Sequence, residues 1–215
     1  MSIVPDRLAK STRGGIAPIA RRLHALGISA NTVTVAGFLI TVAGAALLAM
    51  GQPGPALVVL LLGTLSDTLD GQIARAAGGG TRFGAFLDST LDRLSDAALA
   101  TAAVYLGASI FDPRSNPPAG AAAYILFWSG LTLLVGSFLV SYIRAKAESL
   151  GVSASVGLAP REARIAIYLM GVAAWAVTGN PQLFVAAVTI AAFLATVTVI
   201  QRVAHMATTL NEKKG

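Results

Sequence analysis

Apolar residues dominate six stretches of this chain, and short runs rich in glycine and proline separate them. Each stretch has roughly the 20 residues that a helix needs to cross a bilayer, and the runs between them carry residues that end helices. The pattern therefore predicts six transmembrane helices joined by short loops. The predicted spans lie near residues 32–51, 54–74, 84–110, 119–143, 162–178 and 182–201.

The first thirty residues have a different pattern, in which apolar side chains recur at helical spacing and basic side chains lie elsewhere around the same helix. This is typical of an amphipathic helix lying on a membrane surface with its basic side toward anionic headgroups. An ordinary basic flank before the first span is the alternative. The apolar positions are Ile16, Ile19, Leu23 and Leu26, and the basic ones are Arg13, Arg21 and Arg22.

The basic residues predict the orientation of the spans. With the N-terminus in the cytoplasm, fifteen of the sixteen Lys and Arg residues fall on the cytoplasmic side and only Arg114 falls outside. This agrees with the positive-inside rule and requires an even number of spans. We therefore expect an all-α protein of the cell membrane, with both termini and the active site cytoplasmic. Residues 1–215 form a single domain in this interpretation, with 1–30 as its juxtamembrane segment. The cytoplasmic set is Arg7, Lys10, Arg13, Arg21, Arg22, Arg75, Arg82, Arg93, Arg144, Lys146, Arg161, Arg164, Arg202, Lys213 and Lys214.

Composition narrows the classes of function. Hydrophobic residues make up 55% of the 215 residues and charged residues only 12%, about half the usual charged share of a soluble domain. The absence of cysteine excludes disulfides, thiolate metal sites and a cysteine nucleophile. The net charge of +6 favours an anionic partner. Lipid or phosphate fits better than nucleic acid, because the basic residues form no stripe with aromatic residues.

Four of the ten acidic residues lie in or beside the second and third spans, where a charge costs about 2.5–3.5 kcal/mol on insertion scales. Asp67 and Asp70 are three residues apart, and Asp88 and Asp92 are four apart, so each pair projects from one face of its helix. The short link at Gly78–Gly80 makes the two helices antiparallel neighbours. The pairs then converge near the cytoplasmic boundary. Carboxylates of this kind suit Mg²⁺ or Mn²⁺, and four of them suit two ions.

Small residues accompany the aspartates, since Gly71, Ala74 and Gly84 leave room for a ligand to approach. Arg75 adds a cation suited to a phosphate. Two other interpretations stay open. The carboxylates could form structural ion pairs with Arg75, Arg82 and Arg93, or they could line a cation or proton pathway through the membrane. The later spans contribute no matching carboxylates to such a pathway.

The stretch reads Asp67-x2-Asp70-Gly71-x2-Ala74-Arg75-x8-Gly84-x3-Asp88-x3-Asp92. It resembles, position for position, the signature of the CDP-alcohol phosphatidyltransferase family. The resemblance implies an enzyme that cleaves the diphosphate of a CDP-linked lipid, releases CMP and moves the phosphatidyl group to an alcohol. It implies that Asp67, Asp70, Asp88 and Asp92 hold two Mg²⁺ ions, with Mn²⁺ as a substitute, and that Asp92 is the general base. The implied contacts of CDP-diacylglycerol are Asn31, Thr32, Val33, Thr34, Gly71, Ala74, Arg75, Thr81 and Gly84.

The second half of the chain bears on the acceptor alcohol. Cations gather at the cytoplasmic ends of three predicted spans, and arginine matches phosphate oxygens, which favours a phosphorylated acceptor over a neutral one. Positively charged anchors that only touch lipid headgroups are the alternative. The segments 78–96 and 141–148 resemble the actinobacterial phosphatidylinositol phosphate synthases, which use 1D-myo-inositol 3-phosphate. The implied acceptor pocket is Ser141, Arg144, Lys146, Arg161, Arg164 and Arg202, and the resemblance also implies a homodimer.

Three other functions remain compatible with parts of the sequence. A relative of the phosphatidylglycerophosphate synthases would use glycerol 3-phosphate, although Arg93 stands where those enzymes usually have proline. An intramembrane prenyltransferase also uses aspartates and Mg²⁺, but its aspartate motifs normally lie on distant helices. A small cation transporter would be indifferent to CDP-lipids. Two roles stay open for Asp96, which could support the metal site or pair with Arg93.

Overall fold

The computed structural model describes residues 18–110 and 120–212, and within these ranges every regular element is an α-helix. The predictions that involve Arg7, Lys10, Arg13, Ile16, Arg114, Lys213 and Lys214 lie outside the described residues. The first helix, α1, covers residues 18–25. The others are α2 (Ala30–Ala49), α3 (Pro53–Ala76), α4 (Arg82–Ile110), α5 (Ala121–Ser149), α6 (Arg161–Thr178) and α7 (Pro181–Glu212).

The helix ends follow the turn residues of the sequence. At the end of α6, Gly179 adopts a left-handed conformation with φ of 72°, and its N–H donates to the Trp175 carbonyl at 2.8 Å. Asn180 follows and accepts the backbone N–H of Gln182 at 3.0 Å. Pro181 then begins α7, where a proline costs nothing because its missing N–H has no partner in a first helical turn.

Four of the described helices are long and apolar enough to cross a membrane: α2, α3, α5 and residues 182–211 of α7. The helices α4 and α6 correspond to the other two predicted spans. Charged residues interrupt the first half of α4, and α6 is only 18 residues long with three charges in its first turn. The all-helical prediction is therefore confirmed, while six spans and cytoplasmic termini stay predictions.

A helix precedes the first predicted span, as the apolar spacing predicted, and its place on a membrane surface stays a prediction. Helix α1 ends at residue 25, and Leu26 follows in a turn in which its N–H still donates to the Arg22 carbonyl at 3.0 Å, four residues earlier as in a helix. The turn forms because Gly27 adopts a left-handed φ of 78°. Arg21 and Arg22 are exposed, and Ala20 is the buried position of the helix.

The chain divides into two compact units. The first comprises Met1–Ala43 with Val58–Ser95, and the second comprises Gly44–Leu57 with Asp96–Gly215. In the first unit, α2 and α3 approach closely at two glycines. A Cβ atom on Gly37 would lie 2.7 Å from the Ser66 Cβ, and one on Gly63 would lie 2.4 Å from the Thr41 hydroxyl. The absence of side chains at these positions lets the backbones meet.

The second unit packs α5 and α6 against α7. The rings of Tyr168 and Phe184 meet edge to face at 5.1 Å, and the Tyr168 hydroxyl donates to the Leu99 carbonyl of α4 at 2.7 Å. Glycines again permit close contact. A Cβ on Gly107 would lie 2.5 Å from the backbone nitrogen of Phe127, so α4 and α5 touch through main-chain atoms.

Candidate active site

An open cavity of about 430 Å³ lies within the first unit. It is formed by the turn before α2 and by the facing parts of α2, α3 and α4. Eight of the residues predicted from the sequence line it: Asn31, Thr34, Asp70, Gly71, Ala74, Thr81, Gly84 and Asp88. The fold therefore brings together three segments that are up to 57 positions apart in the sequence, from Asn31 to Asp88.

Asp70 is the most enclosed of the four motif aspartates, with 7% of its surface exposed. The Thr34 hydroxyl of α2 donates to the Asp70 Oδ2 at 2.8 Å. The same hydroxyl lies 3.0 Å from the Ala30 carbonyl. A hydroxyl has one proton, and the shorter bond to a charged acceptor is the stronger one. Thr34 therefore fixes the orientation of the Asp70 carboxylate.

The other motif aspartates are more exposed than Asp70, and of these Asp88 also lines the cavity, whereas Asp67 and Asp92 do not. Asp67 and Asp88 both lie close enough to repel the Asp70 carboxylate electrostatically, while Asp92 is half-buried in α4. Throughout residues 18–110 and 120–212, no three Asp, Glu, His or Cys side chains are grouped closely enough to hold one metal ion. In chemistry the set fits Mg²⁺ or Mn²⁺, because it offers only carboxylate oxygens. The four metal ligands stay a prediction.

Gly84 holds α4 close to α2 on one side of the cavity. A Cβ atom on Gly84 would lie 3.0 Å from the Asn31 Oδ1 and 3.1 Å from the Thr81 hydroxyl. The Gly84 N–H donates to that hydroxyl at 2.9 Å, so Thr81 caps the start of α4. Any side chain at this position would push Asn31 or Thr81 away from the cavity.

Several predicted contacts of the nucleotide-lipid do not line the cavity. Thr32 and Val33 lie on other faces of α2 than Asn31 and Thr34, because Asn31 and Thr34 are one helical turn apart. The Thr32 hydroxyl instead meets the Ser29 hydroxyl at 2.9 Å at the start of α2. Arg75 is not in the lining either, although its guanidinium would lie within 3.9 Å of a Cβ on Gly71.

The sequence interpretation missed the turn that leads into α2. Ser29 is the signal that could have revealed it, because its hydroxyl accepts the Thr32 N–H at 3.1 Å in the manner of an N-cap. This turn closes one end of the cavity. The additional lining residues are His24, Gly27, Ile28, Ser29, Ala30, Ile73, Ala77, Gly79, Gly80 and Ala85.

Arginines of the predicted acceptor pocket gather in the second unit. The Arg161 Nε donates to the Asp96 Oδ1 at 3.0 Å, and the Arg164 Nη2 lies 3.8 Å from the Asp96 Oδ2. Asp96 thus pairs with arginines of α6, a partner that neither of the two roles left open by the sequence included. Arg93, the partner in one of those roles, instead donates to the Ser89 carbonyl one turn earlier in α4.

Arg202 of α7 is buried, with 7% of its surface exposed. Its Nε donates to the Val156 carbonyl at 2.9 Å and its Nη1 to the Val140 carbonyl at 2.6 Å. Arg144 and Arg164 are both near enough to interact electrostatically with it. Backbone carbonyls therefore hold Arg202 in place within a group of like charges, which an anion would stabilise.

The remaining members of the predicted pocket are more exposed. Arg144 donates to the Glu148 carboxylate at 2.9 Å, and both side chains are more than half exposed. Lys146 is exposed and Ser141 is half-buried. Among the described residues, the four arginines outnumber the three acidic side chains that interact with them, which are Asp96, Glu148 and Glu162.

Apolar helices long enough to span a bilayer, together with two motif aspartates that line a cavity, indicate a membrane protein of the class whose signature the aspartate motif resembles. The chain belongs to the CDP-alcohol phosphatidyltransferase family, whose model matches residues 27–208. This confirms the resemblance seen in the aspartate motif.

Two groups of relatives are similar in sequence. The phosphatidylinositol phosphate synthase of Mycobacterium bovis is 40% identical over 155 residues, which are 72% of this chain and 67% of the relative. The archaetidylinositol phosphate synthase of Methanothermobacter thermautotrophicus is 37% identical over 191 residues, which are 89% of this chain and 88% of the relative. Both relatives are inositol phosphate lipid synthases by name.

Solved structures agree with the sequence relatives. The phosphatidylinositol phosphate synthase of Mycobacterium tuberculosis with bound CDP-DAG superposes with a TM-score of 0.76 at 34% identity, covering 88% of this chain and 92% of that one. The same enzyme in complex with manganese and citrate superposes with a TM-score of 0.77 at 35% identity, covering 88% and 87%. The fold of this chain is therefore the fold of that enzyme.

Proposed function

We propose that this protein transfers the phosphatidyl group of CDP-diacylglycerol to 1D-myo-inositol 3-phosphate and releases CMP. The observation that carries the proposal is the cavity of the first unit, which six predicted contacts of the nucleotide-lipid line together with the predicted metal ligands Asp70 and Asp88. The relatives that bear inositol phosphate synthase names, and the similar enzyme solved with CDP-DAG, support the choice of substrates.

In this proposal the cytidine diphosphate occupies the cavity between the start of α2 and the facing parts of α3 and α4. Gly71, Ala74 and Gly84 leave room for the diphosphate, and Asn31, Thr34 and Thr81 add polar groups to the lining. Thr32, Val33 and Arg75 complete the proposed set of contacts. Arg75 is suited to a phosphate oxygen because its guanidinium lies beside Gly71.

Asp67, Asp70, Asp88 and Asp92 are the residues that would hold two Mg²⁺ ions, for which Mn²⁺ could substitute, and the similar enzyme solved with manganese supports a divalent metal. Bound there, the metal would neutralise charge that develops on the diphosphate. Thr34 keeps the Asp70 carboxylate oriented. Asp92 takes the proton from the acceptor hydroxyl while the oxygen of that hydroxyl attacks the phosphatidyl phosphorus. The bond from that phosphorus to CMP breaks, and CMP leaves.

We propose a phosphorylated acceptor because the second unit holds four arginines with excess positive charge. Arg161 and Arg164 are kept in place by Asp96, and Arg202 by two backbone carbonyls. Fixed guanidinium groups bind phosphate oxygens with little loss of side-chain entropy. Arg144, Lys146 and Ser141 complete the proposed pocket.

The proposed setting is the cell membrane, with six spans, cytoplasmic termini and an active site open to the cytoplasm. Helices α4 and α6 would supply the two spans beyond the four apolar ones, with their charged first turns at the cytoplasmic boundary. We also propose a homodimer. Cysteine labelling from either side of sealed vesicles tests the topology, and it would be refuted by labelling of both termini from the outer side.

The decisive experiment is an acceptor panel with the purified protein and CDP-diacylglycerol, followed by CMP release. We expect release with 1D-myo-inositol 3-phosphate and little with glycerol 3-phosphate, serine or free inositol. Release with glycerol 3-phosphate alone would make the protein a phosphatidylglycerophosphate synthase instead. No release with any acceptor, in the presence of Mg²⁺, would refute the transferase proposal.

Asp92→Asn tests the proposed general base. We expect turnover to fall by about 10²–10⁴-fold, the usual contribution of general base catalysis, while the affinity for the nucleotide-lipid changes little. Glu162→Gln is the matched control, since it removes an exposed carboxylate outside the motif. Equal turnover in the two variants would contradict the role of Asp92.

A further inference from the structure

Asp96 occupies an unusual place in the second unit, between two arginines of a different helix. Its Oδ1 accepts the Arg161 Nε–H at 3.0 Å, and its Oδ2 lies 3.8 Å from the Arg164 Nη2. The carboxylate side chain is only 10% exposed. Asp96 lies outside the aspartate motif, which ends at Asp92, and no step of the proposed reaction uses it.

The two arginines differ in how deeply their side chains are buried. The Arg164 side chain is 5% exposed and its Nη1 also donates to the Ala159 carbonyl at 2.9 Å, whereas the Arg161 side chain is 25% exposed. Asp96 therefore connects a deeply held guanidinium to one that solvent can reach. Arg161 stands in the first turn of α6, where an arginine without such a partner would sample many rotamers.

We propose that Asp96 is a positioning residue for the acceptor, which orients the Arg161 and Arg164 guanidinium groups toward the phosphate of the acceptor alcohol. This inference rests on the proposed function, because it takes those two arginines as phosphate ligands. The carboxylate restricts the guanidinium groups before the acceptor arrives, so that less side-chain entropy is lost when the phosphate binds.

The surroundings of Asp96 argue against direct contact with substrate. The cavity beside it, which Arg161, Arg164 and Tyr168 also line, has a volume of only about 20 Å³. A sugar phosphate does not fit inside, so the acceptor would meet the arginines from the side on which Arg161 is exposed. Both carboxylate oxygens face arginines, so Asp96 is also poorly placed to serve as a further metal ligand.

A purely structural ion pair is the competing explanation, since a buried arginine without a counter-charge destabilises a protein. The two explanations differ in what removal of the charge does to substrate binding. A structural role predicts lower stability and a similar loss for both substrates. A simple electrostatic view even predicts tighter phosphate binding, because one negative charge has left the pocket. Positioning predicts weaker binding of the acceptor alone.

Asp96→Asn is the test variant, because it keeps the size of the side chain and removes its charge. We expect the KM for the phosphorylated acceptor to rise about tenfold, as for a lost charge-assisted hydrogen bond, with the KM for CDP-diacylglycerol unchanged within about twofold. Asp96→Glu keeps the charge and is expected to give a smaller rise in the same KM. Glu162→Gln removes an exposed carboxylate that also interacts electrostatically with Arg164, so it controls for the loss of a nearby charge, and positioning by Asp96 predicts little change in either constant for this variant.

The outcomes separate this inference from the proposed function. If the wild-type protein releases CMP with glycerol 3-phosphate instead of the inositol phosphate, the acceptor assignment fails, and the Asp96 variants are then compared with glycerol 3-phosphate. An unchanged or lower acceptor KM in Asp96→Asn would overturn the positioning role, as would an equal rise in both KM values. If Asp96→Asn does not fold, the same measurement is made on Asp96→Glu. An acceptor KM of Asp96→Glu equal to that of the wild type would then overturn the inference.

Discussion

The contact between Thr34 and Asp70 offers a sharp test of how the candidate site is built. The Thr34 hydroxyl is the group that α2 presents to the buried carboxylate of α3, at 2.8 Å from the Asp70 Oδ2. Thr34→Val removes this hydroxyl and keeps the branched shape of the side chain. The change leaves the Asp70 carboxylate without its donor from α2 and free to turn away from the cavity.

The expected change in the Mg²⁺ requirement of Thr34→Val follows from the kind of bond that is lost. A hydrogen bond to a charged group contributes about 1.5–3 kcal/mol. Partners that orient metal ligands typically change metal affinity by about 10–100-fold when they are removed. If Asp70 holds the metal as proposed, the Mg²⁺ concentration that gives half-maximal activity in Thr34→Val should therefore rise at least tenfold.

The assay is CMP release from CDP-diacylglycerol and the acceptor, measured over a series of Mg²⁺ concentrations. Thr64→Val is the matched control, because the Thr64 hydroxyl donates only within its own helix, to the Leu60 carbonyl at 3.0 Å. We expect the control to follow the wild-type Mg²⁺ curve. The reasoning would be refuted if Thr34→Val followed that curve as well.

The remaining predictions concern packing and the metal. Gly107→Ala should sharply lower the yield of folded protein, because its Cβ would lie 2.5 Å from the Phe127 backbone nitrogen, whereas Gly54→Ala, with nothing within 4 Å of its Cβ, should leave the yield unchanged. Tyr168→Phe should lower the free energy of unfolding by about 1 kcal/mol, through the lost bond to the Leu99 carbonyl, and a thermal unfolding curve equal to wild type would contradict this. Treatment with a chelator should abolish CMP release and added Mg²⁺ should restore it; full activity in excess chelator would exclude the metal.

The aspartate motif shows how far local spacing could predict the site. The spacing predicted that both aspartate pairs face one site, and in the structure Asp70 and Asp88 line one cavity, whereas Asp67 and Asp92 are not in its lining. The spacing could not reveal that Thr34 would meet Asp70, since those residues are 36 positions apart and only the packing of α2 on α3 joins them. Glycine at positions 37 and 63 permits that packing.

Long-range pairing accounts for the other differences. The sequence left pairing with Arg93 open as one of two roles for Asp96, because the two are near neighbours in one helix. In the structure the partners come from α6, 65 positions away, and Arg93 turns to a backbone carbonyl. Similarly, Arg202 was predicted as a phosphate ligand, and its bonds to the Val156 and Val140 carbonyls could not be foreseen.

By itself, the sequence determined that this protein is helical, apolar enough for a membrane and equipped with the aspartate motif of its family, since these properties depend on composition and on spacings of three or four residues. Only the tertiary structure decided which carboxylate is buried beside a hydroxyl, which arginines share Asp96, and which polar side chains face one cavity. These outcomes depend on how helices distant in the sequence pack together, and such packing is set by the combined shapes of many side chains.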